Sequence, residues 1–226
     1  MLNIFEWLKQ FDIVVNNEDL VRQAFVHSSY ANEHNMVHDN ERLEFMGDAV
    51  LQCWISDQLF HLTPSISEGL MSKLRAKLVC EGSLAECARR LELNRYLYLG
   101  SGEEKTGGRN RDSICADMFE AFCGALYLSN GYDAASKVFA KALNDKLAHV
   151  DINDVEDFKT KLQEFVQSDT RSNVTYRVIN SWGPANAPSF EVEVLLEGIV
   201  LGKGIGSSKK KAEQQAAKAA FEKMVK

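Results

Sequence analysis

Apolar residues return every three to four positions through the first 148 residues, then at every second position in much of the remainder. A period near 3.6 marks amphipathic helices, and a period of two marks strands with one face buried. The first stretch predicts helices from Glu18 behind Asn16 or Asn17, from Asn40, over Glu68–Leu78 behind Ser67, and over Ser83–Leu91, Ser113–Leu128 and Asp133–Leu147, with a stop at Gly131. Residues 149–157 are short, polar and acidic, as in a linker. Beyond them Phe158–Gln167 reads as a helix, Val174/Tyr176/Val178, Phe190/Val192/Val194 and Ile199–Ile205 as strands, and Ser207 or Ser208 caps a last helix running to Met224. The expectation is an α+β chain of two domains: all-α over 1–148, then α-β-β-β-α over 158–226.

The helix beginning near Asn40 carries unusual chemistry on its polar side. At about 100° per residue, Glu41, Glu44 and Asp48 fall within about 60° of one another, while Leu43, Met46, Val50 and Trp54 form the opposite, core-facing stripe. A second acidic pair, Asp117 and Glu120, shares one side of the Ser113–Leu128 helix. If the two helices pack together, Glu44, Asp48, Asp117 and Glu120 make an all-oxygen set suited to Mg²⁺ or Mn²⁺. Gly47, costing about 1 kcal/mol against Ala in mid-helix, points to close packing. Phe45 projects on the carboxylate side, away from the core stripe, as an aromatic at a subunit interface would.

Charge sharpens the division. The net charge is −6, yet residues 1–151 hold 15 basic and 22 acidic side chains, while 152–226 hold 11 basic and 10 acidic. The acid travels with the candidate metal site and the later half carries a lysine cluster. Cys53, Cys80, Cys87, Cys115 and Cys123 form no CxxC pair, and most sit in apolar helical patterns, so buried thiols in a reducing cytoplasm are expected. Acid and base interrupt the apolar residues of Met1–Lys9, and no stretch approaches a membrane span; neither export nor membrane insertion is expected. Gly100–Arg111 reads as a glycine-rich loop without the strand and Lys-Ser/Thr context of a nucleotide site, so no nucleotide cofactor is expected; Lys105, Arg109 and Arg111 are offered there to an RNA backbone. His34, His38 and His61 lack zinc-ligand spacing.

The run Asn40-Glu-Arg-Leu-Glu-Phe-Met-Gly-Asp-Ala49 resembles the signature of the bacterial ribonuclease III family, with Met46 where the family usually has Leu. Ile114–Ala121 is similar to its second acidic element, with Cys115 and Met118 in place of commoner residues, and His27 falls in a further matching run, Ala24–Tyr30. The final 69 residues resemble a double-stranded RNA-binding domain through Lys159–Glu164, Gly183-Pro-Ala-Asn186 and Lys209-Lys-Lys-Ala-Glu213, with Asn186 where His is common. Lysines at a helix N-terminus add side-chain charge to free backbone N–H groups, a fit for phosphates across a groove.

The resemblance implies a cytoplasmic homodimer that cuts both strands of duplex RNA using Mg²⁺, with Mn²⁺ as a substitute, leaving 5′-phosphate and 3′-hydroxyl ends with short 3′ overhangs and processing rRNA precursors. It implies Glu44, Asp48, Asp117 and Glu120 as metal ligands, Asp48 and Glu120 as catalytic, Glu41 and Glu68 as accessory, Phe45 at the dimer interface, and Gln163, Gln167, Asn186, Lys209, Lys210 and Lys211 on RNA. Two other classes compete. A non-catalytic RNA-binding protein would show a neutral residue at Asp48 or Glu120, and a helical di-iron protein would show Glu-x-x-His pairs; the first 150 residues have neither.

Overall fold

The computed structural model describes residues 3–62, 66–149, 157–170, 172–184 and 186–224. They belong to two compact units, Met1–Val155 and Glu156–Lys226. Residues 150–156, most of the expected linker, lie outside the described residues.

The first unit is helical: α1 Ile4–Lys9, α2 Glu18–Gln23, α3 Ser28–Glu33, α4 Glu41–Phe60, α5 Glu68–Leu78, α6 Glu81–Arg90, α7 Ser101–Lys105, α8 Asp112–Asn130 and α9 Tyr132–Ala148. Asn17 caps α2 by accepting from the Leu20 N–H at 3.2 Å, and Ser67 caps α5 by accepting from Leu70 at 3.4 Å. Asn40 precedes α4 but makes no side-chain cap; it is buried, and its amide donates to the Ala24 carbonyl instead. Helix α6 starts two residues earlier than Ser83, because the extended backbone of Cys80 takes the cap position without a side-chain bond.

Helices α4 and α8 cross at the centre of this unit. Helix α8 is apolar nearly all round, with eleven buried residues including Met118, Phe119, Phe122 and Leu126, so it is a core helix rather than a surface one. Its partner α4 buries Leu43, Gly47, Val50, Leu51, Trp54, Ile55 and Leu59, while Met46 lies half-buried at the rim. Trp54 meets Phe139 of α9 edge-on at 5.8 Å between ring centroids. The crossing is glycine on glycine. A Cβ on Gly47 would collide with the Glu120 carbonyl, and one on Gly124 would lie 2.9 Å from the Gly47 nitrogen. Close backbone approach is therefore what places glycine mid-helix.

The stretch Gly100–Arg111 is not the open loop expected from its glycines. It folds as α7 and a 3₁₀ turn over Gly108–Asn110. Glu33 accepts from the Ser101 N–H at 2.8 Å, Arg109 pairs with Glu104 and donates to the carbonyls of Asn94 and Arg95, and Arg111 pairs with Glu103. Only Lys105 of the three expected cations stays clear of internal pairing among the described residues.

The second unit runs α10 Phe158–Thr170, β1 Val174–Trp182, β2 Ser189–Leu196, β3 Ile199–Gly206 and α11 Lys209–Met224. The sheet is antiparallel in the order β1-β2-β3. One face carries both helices: Phe158, Leu162 and Val166 of α10 and Ala212, Ala216, Ala217 and Ala220 of α11 bury Val192 and Val194. A bulge between Val178 and Asn180 breaks the alternation of β1, leaving Val178 exposed rather than half-buried. Gly202, Gly204 and Gly206 lie against the α11 backbone, where a Cβ on Gly204 would stand 2.6 Å from the Ala212 carbonyl oxygen. Glycine on alternate strand positions and alanine on successive helical turns thus let helix and sheet approach closely.

Candidate active site

Because Glu44 and Asp48 flank Gly47 on α4 while Asp117 and Glu120 lie one turn apart on α8, the glycine crossing brings four carboxylates into electrostatic contact. Glu120 carries the largest perturbation: burial first, then the charges of Asp48, Glu44 and Asp117, push its pKa up to about 8. Glu44 is raised by burial and then by Asp117, Glu41 and Asp48. Burial and then Glu81 raise Asp117, with His27 acting in the opposite sense. Asp48 accepts from the Gln52 side-chain amide, at 2.8 Å on one oxygen and 3.0 Å on the other.

None of the four pairs with a lysine or arginine among the described residues. Their donor set is all oxygen and anionic, the chemistry that suits a hard divalent cation. As they stand, no three His, Cys, Asp or Glu side chains among the described residues are grouped tightly enough to enclose an ion.

The other expected acidic residues separate into two cases. Glu41 is exposed and adds its charge to Glu44. Glu68 opens α5, accepts from Ser72 Oγ at 2.8 Å, and lines a small cavity with Ser56, Phe60 and Arg75. Phe45 is 79 % exposed beside a cavity of about 740 Å³ formed with Leu20, Gln23, His38, Met46 and Leu128. His27 caps α3, its Nδ1 accepting from the Ser29 N–H. Cys87, Cys115 and Cys123 are buried as expected; Cys53 and Cys80 are exposed, against that expectation. Gln52, Gly124 and Glu81 are site neighbours that motif reading did not single out; for Gln52 the available signal was its place four residues beyond Asp48.

On the second unit, Lys209, Lys210 and Lys211 are exposed at the start of α11 and make no ion pair among the described residues. Ser208 caps this helix, accepting from the Lys211 N–H at 3.2 Å. Asn186 is exposed. Gln163 is committed to its own fold: it donates to Asn173 Oδ1 at 2.9 Å and accepts from the Val174 N–H at 3.1 Å. Gln167 also donates to Asn173, at 3.0 Å.

A core helix pair bearing four coupled carboxylates, joined in one chain to an α-β-β-β-α module whose last helix opens on exposed lysines, fits a nuclease directed at duplex nucleic acid. Residues 17–147 match the family model described as ribonuclease-III-like, and residues 158–224 match the double-stranded RNA binding motif. Ribonuclease 3 of Streptococcus sanguinis is 50 % identical over 218 residues, covering 96 % of this chain and 94 % of that protein. Among solved structures, the nuclease domain of ribonuclease III from Campylobacter jejuni is 36 % identical with a TM-score of 0.59, over 67 % of this chain and all of that one. A second structure of that domain, described for flexibility in a region involved in dimer formation, is 34 % identical with a TM-score of 0.57, over 63 % of this chain and 99 % of that one. The chain belongs to the ribonuclease III family, the double-stranded-RNA-specific endoribonucleases, which are divalent-metal-dependent nucleases. Among the described residues no helix is long and apolar enough to cross a membrane.

Proposed function

We propose that this protein cleaves both strands of double-stranded RNA by metal-assisted phosphodiester hydrolysis, with Glu44, Asp48, Asp117 and Glu120 holding Mg²⁺. The observation that carries the reading is the α4/α8 glycine crossing, which places acids from two helices around Glu120 and gives them no protein cation. When bound, Mg²⁺ supplies activation of a water and charge neutralisation at the scissile phosphate. Glu120, whose proton burial and the neighbouring carboxylates hold up to about pH 8, would have to release it to serve as a ligand. Asp48 contributes an oriented carboxylate, and Glu41 adds negative charge at the margin of the cluster. The products are 5′-phosphate and 3′-hydroxyl ends with short 3′ overhangs, from rRNA precursors and other structured transcripts.

Residues 1–148 form the catalytic domain, 149–157 the linker and 158–226 the RNA-binding domain, and the working species is a cytoplasmic homodimer with Phe45 at its interface. Lys209, Lys210 and Lys211 meet phosphates, while Asn186 reaches a minor groove; shape readout of this kind leaves specificity to RNA structure. Gln163 supports the RNA face from within, through Asn173 and the Ser172 carbonyl, while Gln167, with one donor on Asn173, offers its other to RNA.

The test is incubation of a long perfect RNA duplex with the wild type and with Glu120→Ala, each in Mg²⁺ or in EDTA, following cleavage and retained binding. Cutting by the wild type in Mg²⁺ alone, with both proteins binding the duplex, is the expected outcome. A Glu120→Ala protein that cuts normally in Mg²⁺ overturns the assignment.

A further inference from the structure

We propose that Gln52 is a positioning residue for the reaction: its side-chain amide fixes the orientation of the Asp48 carboxylate toward the divalent ion. The inference rests on the reading of Glu44, Asp48, Asp117 and Glu120 as the ion's ligands, and deepens it.

The geometry is specific. Gln52 Nε2 lies 2.8 Å from one Asp48 oxygen and 3.0 Å from the other, so the amide sits astride the carboxylate. An amide donor on a carboxylate is a charge-assisted hydrogen bond, stronger than one between neutral groups. Each carboxylate oxygen offers about two lone-pair sites, so the contact leaves acceptor capacity on both oxygens. The four-residue spacing puts Gln52 one turn beyond Asp48, where the two side chains meet without strain. Both residues are half-buried, which limits the rotamers open to them.

The segment holding Gln52 is itself tied down. Ser56 Oγ donates to the Gln52 carbonyl at 2.7 Å, and Arg75 of α5 donates to Ser56 Oγ at 3.0 Å. A chain of contacts thus runs from α5 through Ser56 to the turn that carries the amide.

Charge explains why an amide suits this position. A lysine or arginine one turn from Asp48 would orient the carboxylate but also neutralise it, and would compete with the cation. A glutamine orients and leaves the cluster's negative charge intact. Partners of this kind, hydrogen-bonded to a ligand rather than to the metal, typically change metal affinity 10–100-fold when removed.

The experiment measures Mn²⁺ binding by electron paramagnetic resonance on full-length wild type, Gln52→Met, Gln52→Ala and Glu120→Ala, and in parallel the Mg²⁺ concentration for half-maximal cleavage. Gln52→Met keeps length and helix propensity while deleting the donor, and thermal melts in EDTA report folding separately. The expected result is a Kd for Mn²⁺ raised about 10–100-fold in both Gln52 variants, a matching rise in the Mg²⁺ requirement, kcat recovered at saturating Mg²⁺, and unchanged duplex binding. Wild-type Mn²⁺ affinity in Gln52→Met overturns the proposal. If Glu120→Ala binds Mn²⁺ as wild type does, the carboxylate-site reading itself falls, and the role of Gln52 with it; the two failures are thereby told apart.

Discussion

Gly47 of α4 lies so near the backbone carbonyl of Glu120 on α8 that a methyl group cannot be placed between them. The obstacle is main chain, which cannot swing aside as a side-chain tip can. Gly47→Ala gains about 1 kcal/mol of helix propensity but forces the helices apart, at a cost of about 1–3 kcal/mol or more for overpacking. We predict net destabilisation in urea unfolding and loss of cleavage greater than the stability change explains, because the separation of the two acidic pairs moves as well. Unchanged stability in Gly47→Ala contradicts this.

Glu120 makes the ion-free protein sensitive to alkali. Its folded-state pKa of about 8 lies above the ordinary carboxylate value of 4.5, so between those limits the folded state holds a proton that the unfolded chain has released. Stability therefore falls as pH rises from about 4.5 towards 8. Glu120→Gln removes that penalty: in EDTA it is expected to stabilise by about 1–3 kcal/mol at pH 8.5, after discounting for a half-buried and coupled group, and by little at pH 4.5. Chemical denaturation at the two pH values checks the sign. Mg²⁺ should reverse the ranking at pH 8.5, since it stabilises only a protein that binds it.

Phe45 exposes 79 % of its surface, so its removal costs a monomer little. In the proposed dimer it is an aromatic anchor, and such anchors are worth about 2 kcal/mol or more. Phe45→Ala is expected to raise the dimer dissociation constant at least about 30-fold in sedimentation velocity, with an unchanged melt at concentrations where the wild type is monomeric. An unaltered dimer constant would remove Phe45 from the interface.

The lysines at the start of α11 are expected to act as phosphate contacts. Replacing Lys209, Lys210 and Lys211 together with alanine should lower the slope of log affinity against log salt by about 2–3 for a duplex of any sequence, roughly one per lost contact. Gln163→Ala behaves differently, because that side chain bonds Asn173 and the Val174 N–H. It should lower the unit's melting temperature as well as its RNA affinity, and a variant with a wild-type melt would argue for a role in RNA contact alone.

The site was more legible in the sequence than its surroundings were. Helical angle alone places Glu44 and Asp48 on one face, and Gly47 advertised the crossing because a mid-helix glycine needs a reason. Its counterpart Gly124 drew no notice, since nothing in a one-dimensional pattern tells which glycine it meets. Gly100–Arg111 misled because glycines favour loops locally, while Glu33, Glu104 and Glu103 supply partners that order this stretch. Cys53 lies on α4 beside buried neighbours yet faces outward, a matter of degrees on the wheel. The α-β-β-β-α order followed from periodicity, but the bulge at Val178–Asn180 and the contact of Gly202, Gly204 and Gly206 with α11 are tertiary facts.

Placing Asp117 and Glu120 on α8, rather than on a surface loop, ties the proposed active centre to the helix of the domain that buries most of its length. Amide hydrogens around these residues should exchange only through global opening, so their exchange rates will report the stability of the whole unit. A molecule of this design has few half-assembled forms: when the core is lost the chemistry goes with it, and a partly unfolded chain is left without the means to cut RNA.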